Sequence, residues 1–206
     1  TNYNGTLAVS NSTFSDNSAT LGNGGAIHNY HHNPIRPPTT TITNSTFFEN
    51  SAISGGDAIF SSEVPVYLAG NIFEGRAGGV DNCKDSGIAN TLNDNGYNLS
   101  DDTTCVDGGT GSVANATLNL GALADNSGAT KTHLPGSSSD AINAIPNGTT
   151  ISNNGTSWTC NDANTFTDQR GESRPLNSRA DCTPGAVEAD DKTYPEVTST
   201  SLVASY

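Results

Sequence analysis

Apolar residues are sparse in this chain, but they return in a fixed order. Leu7 and Val9 alternate with polar neighbours, and Ile42 stands between Thr41 and Thr43. This is the period of a short strand with one face turned inward. Asn11 interrupts the first run, and Phe14 opens a second inward segment. The polar stretch "SDNSA" then turns outward, Gly24-Gly25 offers backbone that tolerates positive φ, and Ala26-Ile27 begins a third strand. The same phrase is written again. "LAVSNSTFSDNSATLGNGGAIHN" (7–29), "TTITNSTFFENSAISGGDAIFSS" (40–62) and "VYLAGNIFEGRAGGVDNC" (66–83) align with Asn11, Asn44 and Asn71 in one column. Phe14, Phe47 and Phe73 come next, then the Gly pairs 24–25, 55–56 and 78–79, with Asp57 opposite Gly25 and Gly79. The first interval carries the insertion "HNYHHNPIRPPTTT", so the underlying period lies in the twenties, as in stacked repeats.

Three short strands and three turns per repeat predict an all-β parallel β-helix, a solenoid. Each coil buries only a few side chains and is stable only when stacked. The Asn column predicts a hydrogen-bonded ladder that satisfies a buried turn. A β-sandwich is the competing fold and would make the repeat accidental. Further along, Leu118, Leu120, Leu123, Leu134, Ala141, Ile142 and Ile145 fall between polar turns such as Pro135-Gly136, which reads as further coils with shorter strands. One β-helix domain is therefore expected over residues 1–189, with coils over about 1–85 and closing coils over about 86–189. Residues 190–206 form an extended tail.

That tail changes the functional picture. Pro195 bars its start from helix, and Val197 leads into Thr198, Thr200, Leu202, Ala204 and Tyr206, which share one side of an extended strand. The first coil begins almost at Thr1, so its lower face is expected to be open. An open sheet edge and a spare strand are the ingredients of head-to-tail strand addition, which yields a filament when it does not close.

Composition fits thin coils rather than a large core. Of 206 residues 33% are hydrophobic and 14% charged, with 22 Gly and no Met. The net charge of −13 opposes binding to nucleic acid or anionic lipid. No run approaches the ~20 apolar residues of a membrane span. The chain starts at Thr1 with no visible signal peptide, and a processed start is expected. Cys83, Cys105, Cys160 and Cys182 form no CxxC, so zinc is disfavoured. Three pairings are open, and Cys83–Cys105 with Cys160–Cys182 is the local one. Such bridges imply an oxidising compartment or a thermophilic host, hence an extracellular or cell-surface protein.

The "NSTFSDNSA…GGAI" and "NSTFFENSA…GGDAIF" segments resemble the coils of right-handed β-helix surface proteins, including polymorphic outer-membrane and autotransporter passenger repeats. "NTLNDNGYNLSDDTTC", "LNLGALADNSGATKTHLPGSSSDAINAI" and "TDQRGESRPLNSRADCTPGAVEAD" resemble the closing region of choice-of-anchor Q domain proteins of bacterial surfaces. The resemblance spans about residues 7–190. It implies a right-handed, extracellular β-helix with a cap of this type and no established reaction.

Candidate chemistry is thin. Asp168, Arg170, Glu172 and Arg174 gather opposite charges in a charge-poor chain, as an ion-pair network pinning the final turn or as a catalytic pair. A polysaccharide lyase or hydrolase needs clustered carboxylates on one strand face, and the readable coils carry almost none. "SDDTTCVDGG" (100–109) is a candidate for weak Ca²⁺ binding without full loop spacing, and no other cofactor is expected. "HNYHHNPIRPP" (28–38) holds three of the four His, an exposed insertion or a ligand site with Tyr30, His31 and Arg36. Trp158 is expected over a disulfide rather than waiting for a sugar. Glycosylation sequons stand at Asn4, Asn98, Asn115, Asn147 and Asn154, and at Asn11 and Asn44, which are also ladder positions. The leading expectation is a non-catalytic structural subunit whose partners are other copies of itself. A surface adhesin that binds glycans is second, and a polysaccharide-active enzyme third.

Overall fold

A computed structural model describes residues 1–31, 38–87, 91–162, 166–176 and 181–189. The protein is all-β, with no α-helix among the described residues, and its strands stack in parallel. The first level holds β1 (Asn2–Tyr3), β2 (Leu7–Ser10), β3 (Thr13–Ser15), β4 (Ser18–Ala19) and β5 (Ile27–Tyr30). The second holds β6 (Thr40–Thr43), β7 (Thr46–Phe48), β8 (Ser51–Ala52) and β9 (Ile59–Ser62). The third holds β10 (Val66–Ala69), β11 (Ile72–Glu74) and β12 (Cys83–Asp85), and the fourth β13 (Leu92–Asp94) and β14 (Leu99–Ser100). An antiparallel hairpin, β15 (Thr150–Asn153) and β16 (Thr156–Thr159), comes last. The chain visits three sheets in rotation, ordered β2-β6-β10-β13, β3-β7-β11-β14 and β1-β5-β9-β12, with β4-β8 as a smaller fourth.

Like residues lie over like. Val9, Ile42 and Leu68 form one inward column, and Ile27, Ile59 and Cys83 another. Phe14, Phe47 and Phe73 stack nearly parallel, with ring centroids 4.8 and 5.0 Å apart. These residues form one core cluster, and within it Leu7, Val9 and Phe14 on the first level are only partly buried.

The expected polar ladder exists, one residue away from the alignment made on sequence. Thr46 pairs with Ile72, so Asn71 lies over Ser45 and not over Asn44. The true column is Ser12, Ser45, Asn71, Asn98 and Ser112. In it each backbone N–H donates to the side-chain oxygen one level on: Ser12 to Ser45 Oγ (3.3 Å), Ser45 to Asn71 Oδ1 (2.9 Å), Asn71 to Asn98 Oδ1 (3.0 Å) and Asn98 to Ser112 Oγ (3.1 Å). The neighbouring column, Asn11, Asn44, Gly70 and Tyr97, is the corner itself, with φ of 44°, 46°, 67° and 56°. A Cβ at Gly70 would collide with Asn44 Oδ1, which is why the corner reads Gly there and drops the Asn. Asp57 likewise stacks on Asp81, to whose carbonyl its N–H donates, not on Gly79. Short repeats with one-residue length changes allow either alignment, and only backbone pairing settles it. Asn71→Ala removes the acceptor for Ser45 and the donor to the Ile42 carbonyl (2.9 Å) in a fully buried site. A loss of about 2 kcal/mol in unfolding free energy is expected from denaturant titration.

Beyond the fourth level the expected further coils give way to a different construction. Residues 102–113 bond to β12 on the third level and to β14 on the fourth, while β13 remains the outer strand of its sheet. Thr104 Oγ1 accepts from Cys83 N (2.9 Å), Asp102 Oδ2 from Asn82 N (2.8 Å), and Val113 pairs in parallel with Leu99. The rest of the described chain packs along the outside of the stack. The reason lies in strands that are apolar on both faces. Outward-facing Ala69 clusters with Ile145, Ile151, Trp158, Cys160 and Cys182, and Ile72 and Leu99 cluster with Ala116, Leu118 and Ala141. Thr43 is buried for the same reason, since Asn153 Nδ2 donates to its Oγ1 (2.7 Å). The disulfides are Cys83–Cys105, tying β12 to the covering segment, and Cys160–Cys182, tying the hairpin to the final segment. Both fit a non-reducing environment.

Candidate functional site

Several carboxylates face backbone amides. Asp57 accepts from Ala52 N (2.7 Å) and Val80 N (2.9 Å). Asp94 accepts from the N–H groups of Gly96, Asp107 and Gly109 and from Ser112 Oγ. Asp102 accepts from Asn82 N, Thr104 N, Ser100 Oγ and Thr104 Oγ1. Burial alone would raise its pKa, but these donors outweigh burial and hold it below the ordinary carboxylate range. The Ca²⁺ candidates are thus engaged inside the fold: Asp101 meets Gly75 N and Asn82 Nδ2, and Asp102 the groups just named. No group of three or more His, Cys, Asp or Glu placed to hold a metal ion occurs among the described residues.

The Arg-rich segment forms a compact cluster. Asp168 pairs with Arg170 at 2.8 Å and accepts from the N–H groups of Arg170, Glu172 and Glu188. Arg174 is fully buried. Its partner is Glu188 at 3.4 Å, a residue that sequence reasoning missed, and it also donates to the carbonyls of Thr183 and Gly185. Glu172 enters by its backbone and its side chain is exposed. Burial pushes Glu188 up to about 7, against the opposing pull of Arg174 and the Thr183 N–H. Only the "GAVEAD" context hinted at Glu188, because the partner lies 14 residues away across a turn.

The cluster also places residues 185–189 against the stack. Gly185 N donates to Gly70 O on the third level (2.7 Å), and Ala186 N to Thr46 Oγ1 on the second (2.9 Å). Glu188 N then reaches Asp168, whose neighbours Thr167 and Gln169 accept from Asn11 Nδ2 (2.8 Å) and Thr13 Oγ1 (2.7 Å) on the first. Residues 185–189 therefore run down the stack towards its first level.

A groove of about 480 Å³ lies at that level, along β2. One wall is Thr6 to Ser10 with Thr39, Thr41 and Thr43. The other is the hairpin residues Asn153, Asn154 and Thr156 to Trp158, with Phe166. No charged residue lines it among the described residues. Trp158 stacks on Phe166 (4.9 Å) and packs with Cys160 and Cys182, as expected for it over a disulfide. β1, β2, β3 and β4 are the outer strands of their sheets, and no described strand pairs with their free edges.

The remaining candidates scatter. His31 is buried with Nδ1 3.1 Å from Asn4 Oδ1, Tyr30 stacks on Tyr3, and His28 meets Phe60 edge-on, its pKa lowered by burial. His32 and Arg36 lie outside the described residues, as do the assembly-strand residues Val197, Thr198, Thr200, Leu202, Ala204 and Tyr206. Of the sequons, Asn4, Asn115, Asn147 and Asn154 are exposed. Asn98 is overturned as a glycan site. It is fully buried, with Nδ2 donating to Leu68 O and Asp94 Oδ1, so no room or free amide remains. Asn44 is buried as well. No described helix is long and apolar enough to cross a membrane. Comparison with protein-family models, curated proteins and solved structures finds no match for this chain.

Proposed function

We propose that the stacked levels are coils of a right-handed parallel β-helix, and that the protein is a non-catalytic structural subunit of an extracellular assembly. Copies join end to end into a filament by adding the C-terminal strand of one to the first level of the next. The observation that carries this reading is the difference between the two ends. At the far end residues 102–113 bond to Asn82, Cys83 and Leu99 and cover that end in part. The first leaves four strand edges unpaired among the described residues and its core residues Leu7, Val9 and Phe14 partly exposed. Unpaired edges over apolar side chains are where other chains add. The carboxylates' engagement with peptide N–H groups favours a scaffold over a hydrolase or lyase. The resemblance to choice-of-anchor Q domain proteins and the two disulfides agree with a cell-surface setting.

Deleting residues 192–206 tests the reading. Negative-stain images of the full chain are expected to show filaments. The shortened chain is expected to give folded monomers with both disulfides intact. Filaments that persist without the tail, or a full chain that stays monomeric at high concentration, would end it.

A further inference from the structure

We propose that the groove along β2 is a strand acceptor and that its occupant is residues 198–206 of a second copy of this chain. The inference rests on the assembly reading above and names the surface that assembly uses. The groove runs the whole length of β2, from Thr6 to Ser10. The N–H groups of Leu7 and Asn11 point into the sheet, donating to Thr39 O (2.9 Å) and Thr43 O (3.1 Å) of the second level. Strand alternation therefore turns the N–H groups of Ala8 and Ser10 towards the free edge. The opposite wall is formed by the hairpin and Phe166, with Trp158 only 7% exposed.

The chemistry of the occupant matches. In a chain of net charge −13, "TSTSLVASY" (198–206) carries no charged side chain, and neither do the described residues of the groove. Thr198, Thr200, Leu202, Ala204 and Tyr206 alternate with Ser199, Ser201, Val203 and Ser205, so one side is more apolar and suits Leu7, Val9 and Phe166. The source is set by direction. Residues 185–189 descend the stack towards its first level, the end that meets the neighbouring copy in the proposed assembly. Residues 190–197 then bridge up to ~26 Å at about 3.3 Å per residue.

The test uses the full chain with a benzophenone-bearing side chain at Leu202, assembled from equal parts ¹⁴N- and ¹⁵N-labelled protein and irradiated. Cross-links from position 202 to residues 6–10 or 154–166 are expected, about half of them joining light to heavy peptides, the proportion for random pairing between copies. Cross-links to these residues within single-isotope pairs only would place each chain's tail in its own groove and overturn the proposal. Filaments whose cross-links fall elsewhere would overturn it while leaving the assembly reading standing, and a chain that never assembles would sink both. Ala8→Pro supplies a second arm. It removes one free-edge N–H and no bond to β6, so thermal stability should hold while the critical concentration for assembly rises about tenfold or more. An unchanged critical concentration in a folded variant would also overturn the proposal.

Discussion

Phe47→Ala is expected to lower the unfolding free energy by about 3–5 kcal/mol, the cost of removing a large ring from a packed interior. Phe47 is 1% exposed and has a stacked ring on each side, Phe14 at 4.8 Å and Phe73 at 5.0 Å. Its deletion leaves a cavity that the levels above and below cannot close, because their spacing is held by the backbone pairs Phe14–Phe47 and Phe47–Phe73. Denaturant titration monitored by the single Trp158 reads the loss. The same change at Phe14 should cost less than half as much in the free subunit, since that ring is only partly buried. A loss at Phe14 equal to that at Phe47 would mean that the first level is already covered. The pair of substitutions thus measures stability and the openness of the end together.

Local contacts were legible in the sequence, and distant ones were not. Repetition exposed the inward columns, because residues such as Ile42 and Phe47 must meet their own counterparts one level away. The local disulfides, each spanning 22 residues, were readable for the same reason. The one-residue error at Asn71 arose because Asn serves two neighbouring columns, a left-handed corner at Asn44 and a ladder position at Asn71. Residue type could not separate them. The outer layer was misread as further coils because Leu118, Ala141 and Ile145 obey a burial rule set by strands far away in sequence, Ile72 and Ala69 among them. The groove was invisible on the same ground, since β2 and Trp158 are joined only by that outer layer. Trp158 itself was readable, because the nearby Cys160 gave it a local reason to be buried.

The outer layer depends on Arg174, and Arg174→Met is expected to cost about 3–5 kcal/mol at pH 8. The side chain is buried completely, donates to the carbonyls of Thr183 and Gly185, and lies 3.4 Å from Glu188, the only carboxylate it pairs with among the described residues. Methionine fills similar volume but leaves two carbonyls and a buried carboxylate without their cation. Those groups hold the segment that carries Gly185 and Ala186 against the stack, so detachment of the outer layer should precede melting of the levels. The cost should shrink at pH 5, and the reason is the titration of Glu188. Burial raises its pKa from the ordinary 4.5 to about 7, so in the folded protein it is largely neutral at pH 5 and leaves no charge behind when the arginine goes. A carboxyl with a raised folded pKa contributes its differential stability fully below about 4.5 and loses it as pH rises through about 7. The wild type should therefore lose stability relative to Glu188→Gln across that window, and the difference should level off above it. Thermal melts of wild type, Arg174→Met and Glu188→Gln at pH 5, 6, 7 and 8 read all of this. A pH-independent penalty for Arg174→Met would show that Glu188 stays ionised throughout, and a flat difference between wild type and Glu188→Gln would show the same from the other partner.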